Sequence, residues 1–183
     1  MHKPLYKIIY ADPAWPYRNV KTGGSMSSGA AAKYPVMSLN DICNLNIESI
    51  TDKNAVCFLW VTTPLLPDGL TVLKAWGFTY KTSLYWHKSG RIGLGYWYRG
   101  NVEQCLFGIK GKITAFRIPK PNIITAPAGR HSEKPDGMRK MIELSGLEPK
   151  IELFARSRAA GWHVWGNEVN SDIDLEIKAA GNE

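Results

Sequence analysis

Apolar residues fall into short runs at 6–11, 55–61, 78–86, 104–109, 122–125 and 150–154. Runs of this length, bounded by turn residues, predict strands. Between several of them the apolar spacing becomes helical. Ser38-Leu-Asn-Asp41 resembles a capping box with Asp in the fourth place and leads into Ile42, Leu45 and Ile47. Residues 68–76 end at Gly77, a plausible C-cap, and residues 135–144 begin with a first-turn proline and stop before Gly146. Alternating strands and helices predict an α/β sheet with helices on both faces. Internal repeats and coiled-coil heptads are absent from the pattern.

The chain has 183 residues, with 44% hydrophobic and 21% charged, which suits one ordinary globular domain. We expect that domain over residues 1–169, followed by a polar tail at 170–183. No apolar run reaches membrane-spanning length. The opening residues lead straight into a strand, so no signal peptide is expected and the cytoplasm is the expected compartment. Cys43, Cys57 and Cys105 sit in apolar surroundings and read as reduced core residues; no Cys or His spacing suggests a metal site. The four histidines (His2, His87, His131 and His163) have no Ser or Cys partner at a motif spacing, which gives nucleophilic catalysis no support. A net charge of +7 suits a polyanion such as nucleic acid, although many basic proteins bind none.

Two long irregular stretches interrupt the pattern. Residues 18–33 are rich in Gly and Ser. Residues 87–101 interleave four glycines with Tyr96, Trp97, Tyr98, Arg91 and Arg99. Loops this long are usually functional or disordered, and the aromatic and basic content of the second favours function. Tyr96 and Trp97 read equally as a hydrophobic plug beneath the loop or as a gate on a base pocket.

The first strand ends in Asp12, Pro13, Ala14 and Trp15. The exocyclic amine of a nucleobase is a poor nucleophile because its lone pair is delocalised into the ring. A carboxylate and a stiff carbonyl that accept its two protons orient the nitrogen toward the tetrahedral geometry of bond formation. Asp12 supplies the carboxylate. Pro13, with its fixed φ, supplies the carbonyl, and Trp15 offers a face for stacking. Asp and Pro are also ordinary turn residues, so these four residues alone leave both readings open.

Further blocks follow in order: Tyr34-Pro-Val-Met-Ser38, Gly93-Leu-Gly-Tyr-Trp-Tyr-Arg-Gly100, Glu103, Gly108-Ile-Lys-Gly111 and His131-Ser-Glu-Lys-Pro-Asp136. The series ends in Lys150-Ile-Glu-Leu-Phe-Ala-Arg156 and Gly161-Trp-His-Val-Trp-Gly-Asn-Glu168. Together with the opening motif, this ordered set resembles the adenine-N6 methyltransferases that include the messenger-RNA adenosine methyltransferase, and most closely their small phage and bacterial DNA-adenine branch. The resemblance implies a Rossmann-like sheet with permuted motif order and S-adenosylmethionine as donor. Asp12, Pro13, Ala14 and Trp15 become the expected catalytic residues. Arg156, Arg158, Asn167 and Glu168 are expected to line the donor, along with Asp12. Trp15, Tyr17, Tyr96, Trp97 and Arg99 are the expected substrate contacts.

Three departures qualify the resemblance. Ala14 replaces the motif's second proline. Val102 stands where a basic residue usually precedes Glu103, so the donor carboxylate needs another partner, for which Ser132 and Lys134 are available. The chain is also short before the first strand, where larger members contact the donor's adenine. Trp162 and Trp165 read as core. DNA is the expected polymer; the same chemistry on RNA, a catalytically silent nucleic-acid-binding subunit and a generic nucleotide-binding α/β protein are the alternatives. Homo- or hetero-oligomers remain open.

Overall fold

The apolar runs become strands because almost every residue in the central ones is covered on both faces. In the computed structural model, which describes residues 4–16, 37–90, 93, 97–129 and 133–178, seven strands form one sheet. They are β1 (Tyr6–Ala11), β2 (Thr51–Val61), β3 (Thr79–Ser89), β4 (Val102–Lys110), β5 (Ile123–Pro127), β6 (Lys150–Leu153) and β7 (His163–Trp165). Their order is β5-β3-β4-β2-β1-β6-β7. The pairs β1–β2, β1–β6, β3–β5 and β6–β7 are parallel; β2–β4 and β3–β4 are antiparallel. β4 is therefore the one reversed strand among those described.

Helices α1 (Leu39–Asn44) and α2 (Leu66–Ala75) cover one face, and α3 (Asp136–Glu143) covers the other. β2 shows the division residue by residue. Ala55, Cys57, Leu59 and Val61 pack with Ile42 of α1 and Val72 and Leu73 of α2. Val56, Phe58 and Trp60 pack with Met138 and Ile142 of α3. This period of two on a strand buried on both sides explains its uninterrupted apolar run.

Local signals decide the helix starts. Ser38 Oγ accepts the Asp41 N–H at 3.0 Å and donates to the Asp41 carboxylate at 2.7 Å, which satisfies one orphan donor of α1. Pro135 is the N-cap of α3, and Gly146 beyond its end takes a φ of 67°. The cysteines are free; burial pushes the thiols of Cys57 and Cys105 upward, which suits inert core residues. No helix among the described residues is long and apolar enough to cross a membrane.

The boundary expected after residue 169 does not mark an end of packing. Ile173 is buried, Leu175 packs on the α1–α2 side, and Ile177 bridges to Leu45. The backbone N–H of Asn46 donates to Glu176, and that of Lys178 to Asn44. Alternate apolar residues in an otherwise polar segment dock it beside α1.

Candidate active site

Strand polarity decides which residues meet. The C-terminal ends of β1, β2, β3, β5, β6 and β7 share one edge with the N-terminal end of β4. Ligands of open α/β sheets sit beyond such an edge. Four charged residues gather there from distant parts of the chain. Asp12 follows β1, Lys88 lies near the end of β3, Glu103 near the start of β4, and Lys134 in the link into α3.

They form one line of ion pairs. Lys134 Nζ donates to Asp12 Oδ2 at 2.7 Å and lies 3.4 Å from Glu103 Oε2; Glu103 pairs in turn with Lys88. The Lys134 side chain is only 14% exposed. Burial alone would lower its pKa, but Asp12 and then Glu103 outweigh that cost and hold the ammonium above its ordinary value. The register brings Glu103 opposite Trp86, so Lys88, two residues along β3, reaches it diagonally.

Trp60 sits beneath this line. Its ring centroid is 5.4 Å from Lys134 Nζ, within cation–π range, and its indole N–H donates to Tyr10 Oη at 2.7 Å. Its backbone carbonyl accepts the Trp15 indole N–H at 2.9 Å. Thr62, just past β2, adds a buried hydroxyl with no hydrogen-bond partner among the described residues. A group left in that condition is costly and calls for a reason.

The opening motif divides between the two faces. Asp12 continues the alternation of Ile8 and Tyr10 toward the α3 side, whereas Trp15 packs into the α1–α2 cluster. Trp15 is 6% exposed and its one polar atom is satisfied, so in this state it anchors the turn and presents no open face to a base. Pro13 is buried, and its carbonyl accepts the Trp15 backbone N–H at 2.9 Å, an i to i+2 bond that tightens the turn. One lone pair of that carbonyl stays available. Ala14 is half-buried between them.

The loop aromatics behave in the opposite way. Trp97 is 94% exposed and Tyr98 92%, with Arg99 also exposed beside them. A plug beneath the loop is thereby excluded for Trp97. Asn101 closes the base of the loop: its carbonyl accepts the Lys88 backbone N–H at 2.7 Å and its amide lies 3.1 Å from His87 Nε2.

Toward the other end of the edge stand the expected donor residues. Arg156 Nε lies 3.8 Å from Glu168 Oε1, with both side chains open to solvent, and Asn167 is exposed beside them. Gly166 lets this corner close, since a Cβ there would stand 2.3 Å from the Ala155 carbonyl oxygen. Arg158 has a different task. Its guanidinium donates to the Asn170 carbonyl and the Asp172 carboxylate, both at 2.6 Å, while Asp172 also accepts the Val164 N–H. Arg158 ties the terminal segment to β7 and does not join Arg156. Trp162 is buried with its indole N–H on Glu143, and Trp165 is half-buried against Phe154, as their core reading expects. His163 hydrogen-bonds Tyr6, whose phenol burial pushes up to about 12, with Asp172 adding to the rise. Tyr17, Tyr96 and Ser132 lie outside the described residues.

Sequence reasoning did not single out Lys88, Trp60 or Thr62, and it left Glu103 without a role. Their common signal is position: each lies within two residues of a strand end on the shared edge, which becomes visible only once β4 is known to run backward.

Comparison with known proteins finds relatives along most of the chain. The type II methyltransferase M.MunI of a Mycoplasma species is 34% identical over 206 residues, covering 96% of this chain and 82% of that protein. A probable N(6)-adenosine-methyltransferase MT-A70-like protein of Oryza sativa subsp. japonica is 30% identical over 90% of this chain, which spans only 23% of it. The non-catalytic subunit METTL14 of Danio rerio N(6)-adenosine-methyltransferase is 28% identical over 82% of this chain and 38% of its own. The MT-A70 family matches residues 6–168, from the first residue of β1 to Glu168 just past β7. The chain belongs to the MT-A70 family of adenine-N6 methyltransferases.

Proposed function

We propose that the chain transfers a methyl group from S-adenosylmethionine to the N6 amine of adenine, in DNA in preference to RNA. The observation that carries this reading is the Asp12–Lys134 pair at the strand-end edge. The methionine end of the donor is a zwitterion, and a largely withdrawn carboxylate and ammonium 2.7 Å apart match its two charges. Lys134 takes the donor's carboxylate and Asp12 its amino group. Arg156, Asn167 and Glu168 hold the ribose hydroxyls, for which exposed amide, guanidinium and carboxylate groups are suited. The donor supplies an electrophilic methyl group.

The chain itself orients the acceptor. Asp12 has two oxygens, and Lys134 occupies one. The other accepts one N–H of the adenine amine, with a further lone pair of the carboxylate left for the donor's amino group, and the free lone pair of the Pro13 carbonyl accepts the second. Trp15 positions this turn through its bond to Trp60. Stacking of the extruded base falls to the exposed Trp97 and Tyr98, with Arg99 beside a phosphate. With the donor bound, the carbon–nitrogen bond would form as the methyl–sulfur bond breaks, the neutral thioether would leave and the amine proton would pass to solvent, with no covalent enzyme intermediate.

DNA is favoured because the relative whose length this chain nearly spans is named a type II methyltransferase. The adenosine-directed plant relative is matched over less than a quarter of its length. A silent subunit is the second reading, motivated by METTL14, but Asp12 and the motif tryptophan are both present here. Matched adenine-containing DNA and RNA oligonucleotides offered together with methyl-labelled donor, then digested and weighed by mass spectrometry, test the proposal. N6-methyladenine should appear mainly in DNA. Label mainly in RNA, on another base, or nowhere would overturn it.

A further inference from the structure

Positive charge is unevenly placed along the chain. Between Gln104 and Ser132 the cations are Lys110, Lys112, Arg117, Lys120 and Arg130, with no Asp or Glu among them. Lys110 ends β4 and Lys112 follows it, on the sheet edge opposite the candidate active site, and Arg117 and Lys120 lie farther along the β4–β5 connection. That edge holds a cavity of about 550 Å³ whose lining includes Lys7, Lys53 and Lys112. Its one acid, Asp52, is turned onto the Asn54 backbone N–H at 2.8 Å. None of these three lysines has an ion-pair partner among the described residues.

The β4–β5 connection, which carries Lys112, Arg117 and Lys120, is held in place. Asn54 Oδ1 accepts the Lys112 backbone N–H at 2.7 Å. Gly111 has a φ of 68°, and a Cβ there would come 2.1 Å from the Lys53 carbonyl oxygen, so only glycine lets the turn close on β2. Phe116 packs edge-on against Phe107, with ring centroids 5.9 Å apart. Arg117, next to that anchor, takes a φ of 50°, an uncommon conformation for a side chain with a Cβ. Lys112 and Arg117 are thus presented from an anchored connection, whose turn closes on Lys53 of β2.

From this arrangement we infer a second nucleic-acid contact surface, formed by Lys7, Lys53, Lys112 and Arg117, that binds phosphates of the substrate strand away from the methylated base. Unpaired cations held on a fixed surface bind phosphate by releasing condensed counterions and need no base sequence. Lys7 is five residues before Asp12 on β1, and Lys53 is eight before Val61 on β2. At about 3.3 Å per residue the two sites are roughly 20 Å apart, or about six nucleotides at 3.4 Å each. The surface therefore lengthens the footprint on one side of the target adenine. This inference rests on the nucleic-acid reading of the active edge.

The test uses the full chain and a variant carrying Lys53→Gln, Lys112→Gln and Arg117→Gln, all exposed positions outside the active edge. Affinity for an adenine-containing DNA about 20 nucleotides long is measured across a salt series, beside an oligomer of about five. Each lost phosphate contact should reduce the slope of log affinity against log salt by roughly 0.7–0.9, so the triple variant should lose about 2–3 on the long DNA. Its behaviour on the short oligomer and with S-adenosylmethionine alone should match wild type. An unchanged slope on the long DNA, or equal loss on both lengths, overturns the second surface while leaving the active-edge reading intact. A wild-type chain with no salt-dependent binding to nucleic acid overturns both.

Discussion

The active edge carries two groups of charge that differ in how they are held. On the β1–β4 side, Asp12, Lys134, Glu103 and Lys88 are mostly withdrawn from water and joined in one line, with Trp60 beneath the central ammonium. On the β6–β7 side, Arg156, Asn167 and Glu168 stand open to solvent, and Arg158 is committed to the terminal segment. The first group is preorganised: its charges already have partners, so a ligand exchanges one well-placed contact for another. The second adapts to a ligand but begins from hydrated side chains, and exposed pairs of this kind contribute little by themselves. In the proposed reading, chemistry that depends on the angle of an amine falls to the first group, and grip on ribose hydroxyls to the second.

That contrast is open to breakage. The largest expected effect is on Trp15, which holds the turn of the preorganised side by packing. Trp15→Ala should lower unfolding free energy by about 3–5 kcal/mol, as other buried aromatic truncations do. Trp15→Phe should cost less, losing chiefly the bond to the Trp60 carbonyl, about 1 kcal/mol. Urea denaturation of both variants checks this. Unchanged stability with a loss confined to substrate KM would return Trp15 to a stacking role.

Next comes Asp12→Asn, which keeps the shape but removes the charge. Turnover should fall on the order of 10²–10³-fold, the usual cost of losing one preorganised partner. A folded variant with near-native turnover would end the catalytic assignment.

The smallest effects belong to the open side. Arg158→Ala should cost no more than about 1 kcal/mol of stability, because the Arg158–Asp172 pair is largely solvated, and should leave donor affinity as it was. Asn167→Ala should instead weaken S-adenosylmethionine binding by about tenfold with no change in stability, one hydrogen bond's worth. If Arg158→Ala weakens donor binding as much as Asn167→Ala does, the two residues share a site and Arg158 is not reserved for the terminal segment.

The fold was legible wherever burial is two-sided or a local group caps an end. The apolar run of β1 matches its observed span, and the Ser38 box and Gly146 mark real helix limits. β2 to β4 extend beyond their apolar runs, because hydrogen bonding continues past the last apolar residue of each: Val102 still pairs with His87, and the buried Thr51 with Tyr6. The terminal segment misled because its composition is polar while alternate apolar residues dock. In the site, Asp12 and Lys134 were readable from ordered motifs. Their mutual contact, 122 residues apart in sequence, was not. Arg158 shows the converse limit: two arginines two residues apart invite one role, yet a carboxylate at Asp172 and a carbonyl at Asn170 draw the second one away.

Calorimetric titration of S-adenosylmethionine into wild type and into Lys134→Gln, without nucleic acid, bears most directly on the preorganised pair. The variant keeps a hydrogen-bond donor near Asp12 but lacks the ammonium that would meet the donor's carboxylate. Loss of a charge-assisted bond should weaken binding at least tenfold, a difference of about 1.5–3 kcal/mol. Equal affinity in a folded Lys134→Gln protein would place the donor elsewhere on the sheet and contradict the assignment of the Asp12–Lys134 pair.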